Sequence, residues 1–304
     1  MRPSAILIAA KNVIKKFKYF FIGWCFTVLG ISAIVYFSSL DNKPKLKYDR
    51  YKREDGHHKL CLIVPFRDRF EELLEFAPHI TKFLDRQRVK HHITVVNQID
   101  EFRFNRGSLI NAGFKFVLAN ITDCDYIGMH DVDLLPLNDN ISYAYPGDDA
   151  FHVASPNLHP RYHYQTFIGG ILLINRKQFA SVNGLSNRYW GWGMEDDELY
   201  LRLKEGKIKV LRPGKLSTDI TNSFRHIHGP KRKRDMVRCF NQARVNMKRD
   251  RLTGLNNVNY GVTSVNSLVI DNCNVSLVNV ELYCDRQVTP WCSCGVSSFP
   301  TFFR

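Results

Sequence analysis

The pattern of apolar and polar positions becomes readable at Leu60. Leu60-Cys-Leu-Ile-Val64 is an unbroken apolar run of strand length, as expected of a strand covered on both faces. From Phe70 to about Gln87 apolar residues fall at helical spacing (Phe70, Leu73, Leu74, Ile80, Phe83, Leu84), and Pro78 predicts a bend or break. Residues 92–96 predict the next strand. Residues 107–120 predict a helix with Leu109, Ala112, Phe116 and Val117 on its buried side, and residues 126–129 predict a third strand. Strands and helices alternating at this spacing predict an α/β domain on a mainly parallel sheet, with ligands at the carboxyl ends of the strands. Later, residues 169–175 read as a buried strand entered by a Gly pair, and Leu199, Leu201 and Leu203 follow an acidic helix start.

A different pattern opens the chain. Residues 19–40 are 22 positions without a charge, rich in Phe, Ile, Val and Leu. As a helix they would span roughly 33 Å, enough to cross a bilayer core. A signal peptide is the alternative, but its apolar core is shorter, and no small-x-small cleavage site precedes the charged segment that follows. The reading is a tail over 1–18, a membrane anchor over 19–40, a charged stem over 41–58 and a globular domain over 59–304. Basic residues flank the span on both sides, so charge does not decide its orientation. Three acceptor sequons, at Asn120, Asn140 and Asn274, favour a lumenal domain.

The 304 residues carry a net charge of +14, which implies an acidic partner: nucleic acid, anionic membrane, nucleotide or sulfated glycan. At 44% hydrophobic the chain is globular rather than disordered. A nucleic-acid binder fits the charge but neither the anchor nor the sequons. Of eight cysteines, Cys25 lies in the span, and Cys273, Cys284, Cys292 and Cys294 crowd the tail. Cys284 and Cys292 could close a small disulfide loop turned by Pro290. A zinc cluster using Cys292-x-Cys294 is the alternative, but no His accompanies it. The odd number beyond the span leaves a free thiol.

Candidate chemistry gathers in a few stretches. Asp131 and Asp133 follow the third strand at i and i+2, a spacing that puts both on one face of extended backbone; they read as a divalent-cation site or a polar strand end. Pro65-Phe-Arg-Asp-Arg69 occupies another strand end, and Asn105 in Phe104-Asn-Arg106 can cap the next helix. Trp190-Gly-Trp-Gly193 offers a sugar-stacking face on a hinged segment, directly before Glu195-Asp-Asp-Glu198. His226-Ile-His228 places two imidazoles on one face of an extended segment, as metal ligands or surface decoration. Residues 225–251 hold ten Lys/Arg against two Asp, either a solvated face or a cradle for diphosphate or an acidic glycan.

Together these motifs resemble the β-1,4-galactosyltransferases over about residues 60–259. The His226-Ile-His228 variant, Lys231-Arg-Lys-Arg-Asp235 and the Cys284–Cys292 tail are similar to the branch whose acceptor is xylose on proteoglycan core proteins. The resemblance implies a GT-A fold, UDP-galactose as donor, Mn²⁺ as cofactor, and a type II Golgi anchor with the catalytic domain lumenal. It implies that Pro65, Phe66, Arg67, Asp68 and Arg69, with Phe104, Asn105 and Arg106, line the uridine pocket. Asp131 would approach the ribose. Asp133 would bind the metal, with His226 and His228 completing its ligands or contacting phosphate. Arg234 would meet the diphosphate, and Tyr162 and Trp192 would flank the sugars. Asp196 would be the general base, with Glu195 and Asp197 orienting hydroxyls. Met194 departs from the Gly or Arg expected there, which touches the acceptor contacts. The implied reaction is inverting transfer of galactose to the xylose 4-hydroxyl. An N-acetylglucosamine acceptor, a metal-dependent UDP-sugar hydrolase and an inactive glycan-binding module are the alternatives.

Overall fold

The computed structural model describes residues 57–295 except 230, 231 and 233; the predicted tail, membrane anchor and nearly all of the stem lie outside the described residues. In chain order the first elements are β1 (Lys59–Phe66), α1 (Phe70–Arg86), β2 (Lys90–Gln98), α2 (Arg106–Asn120), β3 (Tyr126–His130), β4 (Leu134–Pro136) and β5 (Ala150–His152). Then come β6 (Ile171–Asn175), α3 (Arg176–Ser181), α4 (Glu195–Glu205), β7 (Val210–Leu211), β8 (Phe224–His226), α5 (Gln242–Asn246), β9 (Tyr260–Ile270) and β10 (Cys273–Leu282).

The apolar run at Leu60 is central because it has to be covered twice. Strand β1 lies between β2 and β3, parallel to both. Its Leu60, Leu62, Val64 and Phe66 pack with Leu73, Phe76, Ile80 and Phe83 of α1. Its Cys61 and Ile63 face the other way, onto Leu109, Ile110, Phe114 and Val117 of α2. Each such side chain stabilises by about 1.5–3 kcal/mol on full burial, so a charge at any of these buried β1 positions would be severe. Pro78 does not end α1, which runs through it. The carbonyl that loses its N–H partner belongs to Leu74, which is exposed, so water can satisfy it.

The full sheet has the order β7-β5-β6-β3-β1-β2-β10-β9. Four of its seven neighbour pairs are parallel (β1/β2, β1/β3, β2/β10, β5/β7) and three antiparallel. It is a mixed, mainly parallel sheet with helices on both faces. A second, two-stranded sheet pairs β4 with β8. Disulfides join Cys61 to Cys124, Cys239 to Cys294 and Cys284 to Cys292. The expected small loop is therefore closed, the zinc alternative falls because Cys292 and Cys294 have separate partners, and buried Cys273 is the free thiol among the described residues. Asn120, Asn140 and Asn274 are all exposed. Among the described residues no helix is long and apolar enough to cross a membrane.

Candidate active site

Strand β3 stops at His130, and the chain turns over 131–133 before β4 begins. This corrects the expectation of two carboxylates side by side on an extended strand. The Leu134 N–H turns back to the Asp131 carbonyl (3.4 Å), and the two acids take different partners. Asp131 accepts from Arg106 Nε at 2.8 Å. Asp133 Oδ2 lies 3.1 Å from His228 Nδ1 and 3.5 Å from His226 Nε2.

The two-stranded sheet makes that second meeting possible. Leu134 pairs with His226, and the Ile227 N–H donates to the Asp133 carbonyl at 2.8 Å, so residues some ninety positions apart become neighbours. His226 and His228 stack with ring centroids 5.2 Å apart and planes 8° apart, as the i, i+2 spacing predicts. One ligand atom from each of Asp133, His226 and His228 falls within 4.8 Å of the others. Burial alone would raise the Asp133 pKa, but hydrogen bonds from His226 and His228, with the charges of His226 and Arg69, hold it well below the usual carboxylate range. An ionised carboxylate beside two imidazoles, with no thiolate, fits Mn²⁺ by its donor chemistry. Asp131 is not in that set.

Helix α4 supplies the opposite wall. Its first turn holds four acids, but they divide. Glu198 turns inward to Arg202 (3.2 Å) and Arg249 (2.8 Å) and is structural. Asp197 is hydrogen-bonded to Tyr164. Asp196 accepts from Arg106 Nη1 at 2.8 Å. Glu195 is buried, and burial, reinforced by the charge of Asp196, pushes its pKa up to about 8. Burial likewise lifts Asp131 to about 6 despite Arg106. Burial disfavours the Arg106 charge, but Asp131, Asp196 and Glu195 outweigh it and keep the guanidinium protonated. Gly169 explains half of the Gly pair: a Cβ there would sit 2.3 Å from Asp196 Oδ2.

The Trp-Gly segment closes the site from above. Trp190 is buried, whereas Trp192 is 50% exposed and faces the cavity. Gly191 has φ +80°, and a Cβ there would lie 2.0 Å from Arg103 Nη2. Its N–H donates to the Phe104 carbonyl (2.8 Å), and that of Trp192 to the Asp235 carbonyl (3.2 Å). Arg103 grips the Asp235 carboxylate through two bonds, 2.6 and 2.9 Å. Next to it, the Arg234 guanidinium stacks 5.5 Å from the Trp192 ring and 5.7 Å from the Tyr162 ring. Met194, in a left-handed conformation (φ +77°), caps α4 and is 37% exposed at the cavity.

All but two of the predicted residues line one cavity of about 730 Å³. Phe66 is the first exception: it is 1% exposed, within the α1-side core. Asn105 is the other. It is fully buried, and its side chain accepts from the Ser108 N–H (2.9 Å) and donates to the Asn187 carbonyl (2.9 Å). Both hold the frame of the pocket rather than its surface. Arg67 reaches the cavity but spends its donors on the Gln98, Asp100 and Phe102 carbonyls. Much of the basic 225–251 stretch is also committed internally: Arg225 to Glu75, Arg232 to Glu72, Arg249 and Arg251 to Glu205.

Sequence reasoning missed three residues here. Tyr164 backs Asp197 and lines the cavity; its signal was the i, i+2 tyrosine pair shortly before Gly169. His159 accepts the Arg161 and Tyr162 N–H groups at Nδ1 (3.0 and 3.1 Å), fixing the loop that carries Tyr162, and burial lowers its pKa to about 3. Arg103 had no signal beyond its position beside Phe104.

A carboxylate–imidazole cation site at a strand end, facing an aspartate at a helix start beneath a tryptophan segment, defines a metal-dependent glycosyltransferase with a GT-A-like fold. Two family models match the sequence, the N-terminal region of glycosyl transferase group 7 over residues 41–146 and the N-terminal domain of galactosyltransferase over residues 149–228. The chain is 54% identical over 240 residues to β-1,4-galactosyltransferase 7 of Drosophila melanogaster, covering 78% of this chain and 74% of that protein. It is 50% identical over 243 residues to the xylosylprotein 4-β-galactosyltransferase of Caenorhabditis elegans, covering 79% and 83%. A crystal structure of a Drosophila β-1,4-galactosyltransferase 7 mutant, in complex with manganese, UDP-Gal and xylobiose, superposes with a TM-score of 0.76 at 54% identity, over 78% of this chain and 99% of that one. The chain belongs to the β-1,4-galactosyltransferase family.

Proposed function

We propose that this enzyme transfers galactose, with inversion, from UDP-galactose to the 4-hydroxyl of xylose on proteoglycan core proteins. The observation that carries the reading is that Asp196 and the Asp133/His226/His228 set open onto the same cavity. The named activities of the relatives and the xylobiose-bound neighbour support the acceptor class. Asp133, His226 and His228 would hold Mn²⁺, which when bound supplies charge neutralisation for the departing diphosphate. Asp196 takes the proton from the acceptor hydroxyl as it attacks the anomeric carbon. Glu195 and Asp197 orient sugar hydroxyls, the latter held by Tyr164. Trp192 and Tyr162 present flat apolar faces to the sugars, with Arg234 bridging them.

The test is incubation of the domain with UDP-galactose, Mn²⁺ and a panel of xylosides and N-acetylglucosaminides. Transfer to xylosides alone is expected. Transfer to N-acetylglucosaminides would overturn the acceptor, and UDP release without an acceptor would make the protein a hydrolase. We propose in addition a Golgi membrane setting, single-pass type II with the domain lumenal. Three disulfides suit an oxidising lumen, and three exposed sequons suit glycosylation there. Protease protection of the domain in intact microsomes tests it.

A further inference from the structure

The sheet ends on β9, far from the cavity residues in sequence and in strand order. Tyr260–Ile270 runs for 11 residues without a Lys, Arg, Asp, Glu or Pro, in a chain that is 24% charged. It pairs with β10 on one side and is the last strand of the sheet. Its two faces differ. Leu268 stands opposite Val275, and Leu268 and Ile270 pack onto the α1-side core. Lys82 of α1 reaches Asp271 in the hairpin turn (3.4 Å), which holds the tip to that side. The other face is bare. Val262, Val265 and Val269 stand opposite Val280, Val278 and Asn274, and opposed residues of an antiparallel pair point to the same face. Val278 and Val280 are buried in the α2-side core, but the cover stops there: Val262, Val265 and Val269 are 45%, 52% and 69% exposed. A long, uncharged, apolar edge is a template on which a second copy can add its own edge strand.

We propose that Asn274 carries an N-linked glycan, and that this glycan covers the valine face of β9 and prevents edge-to-edge pairing between copies. The inference rests on the lumenal setting proposed above. Asn274-Val-Ser276 is an acceptor triplet, and the hairpin sets Asn274 directly opposite Val269, exposed and on the valine face. The turn before it is two residues in left-handed backbone, Asp271 (φ +46°) and Asn272 (φ +62°), a tight connection that fixes this register. In the modification the Asn274 amide nitrogen bonds to the anomeric carbon of a lipid-pyrophosphate-linked oligosaccharide. The sugar–pyrophosphate bond breaks, the amide gives up one proton, and the lipid pyrophosphate leaves. A bulky, hydrated glycan rooted beside Val269 obstructs an incoming strand without adding a charge to the edge. Asn120 ends α2 and Asn140 follows β4, so neither of the other two sequons is rooted on this strand pair.

The experiment uses the full chain, made in the secretory pathway of a eukaryotic cell and purified in detergent. Glycopeptide mass spectrometry should find Asn274 occupied. Asn274→Gln should associate to about twice the mass of the parent or more, read by light scattering at equal protein and detergent concentrations. Adding Val265→Lys to that variant should restore the mass of the parent, because a charge on the edge blocks strand addition. Trimming the glycans of the folded parent to one sugar with an endoglycosidase should reproduce the association, and it decides alone if Asn274→Gln fails to fold. Galactose transfer should be unchanged throughout, since no residue of the hairpin lines the cavity. An unmodified Asn274, an unchanged mass after loss of its glycan, or association that Val265→Lys does not relieve would overturn the inference. Glycans on Asn120 or Asn140 beside an unmodified Asn274 would leave the lumenal setting standing, whereas three unmodified asparagines would sink both.

Discussion

The two walls of the cleft are built differently. The metal wall is assembled at long range: a three-residue strand pair brings His226 and His228 to Asp133, and stacked rings and hydrogen bonds set their spacing. The acid wall is local in sequence, four consecutive acids at a helix start, but its members are sorted by distant partners. Glu198 goes to Arg202 and Arg249, Asp197 to Tyr164, and Asp196 to Arg106. Residues far apart thus share one role on the first wall, and neighbours take separate roles on the second. The candidate cation ligands are brought together by strand register, and the acids are sorted by their ionic partners.

The sharpest break of that contrast is at Asp196. Asp196→Asn should lower turnover by about 10²–10⁴-fold while UDP affinity in Mn²⁺ stays within about threefold, read by steady-state kinetics and calorimetry. Weakened UDP binding with turnover intact would put Asp196 on the donor side. Asp133→Asn should do the reverse. Loss of the anionic ligand should weaken Mn²⁺ binding by at least about tenfold, measured by electron paramagnetic resonance titration, and turnover should recover partly at high Mn²⁺. Gly169→Ala comes next, since the added methyl would meet Asp196 Oδ2 at 2.3 Å. It should reduce turnover about tenfold by moving the carboxylate, with Mn²⁺ affinity unchanged. A loss of metal binding instead would mean the two walls are mechanically coupled.

The smallest effect concerns stability. The Glu195 pKa in the folded protein is about 8, above its ordinary value, so between roughly pH 4.5 and 8 the folded state binds more protons than the unfolded one. Stability from this group is therefore lost as pH rises through that window. Glu195→Gln removes the ionisation. Without donor, its melting temperature should match the parent near pH 5 and exceed it by about 2–6 °C at pH 8. Equal differences at both pH values would show that Glu195 is ionised in the folded state throughout.

Much of this architecture was legible because it is repetitive and local. The β1 run announces a doubly covered strand, and the helix over 106–120 carries its own cap in Asn105. The small Cys284–Cys292 loop was equally plain, since its residues are close in sequence. Asp131 and Asp133 misled because spacing alone cannot tell a strand from a turn: the switch at 131–133 depends on β4 pairing with β8, a contact ninety residues away. Phe66 and Asn105 sit inside recognisable motifs, yet alternation in β1 turns one inward and capping absorbs the other. Arg103 acts only through partners brought by the fold, so no local pattern marks it.

The crosslink from Cys239 to Cys294 lies four residues past Asp235, the group that holds both Arg103 and the Trp192 backbone. The tryptophan canopy over the cavity is thus moored through the carboxyl-terminal end of the domain. Material produced in a reducing cytoplasm would keep its cation ligands but lose that mooring, and weak acceptor capture in such a preparation would reflect the redox history of the sample and not the design of the catalytic groups.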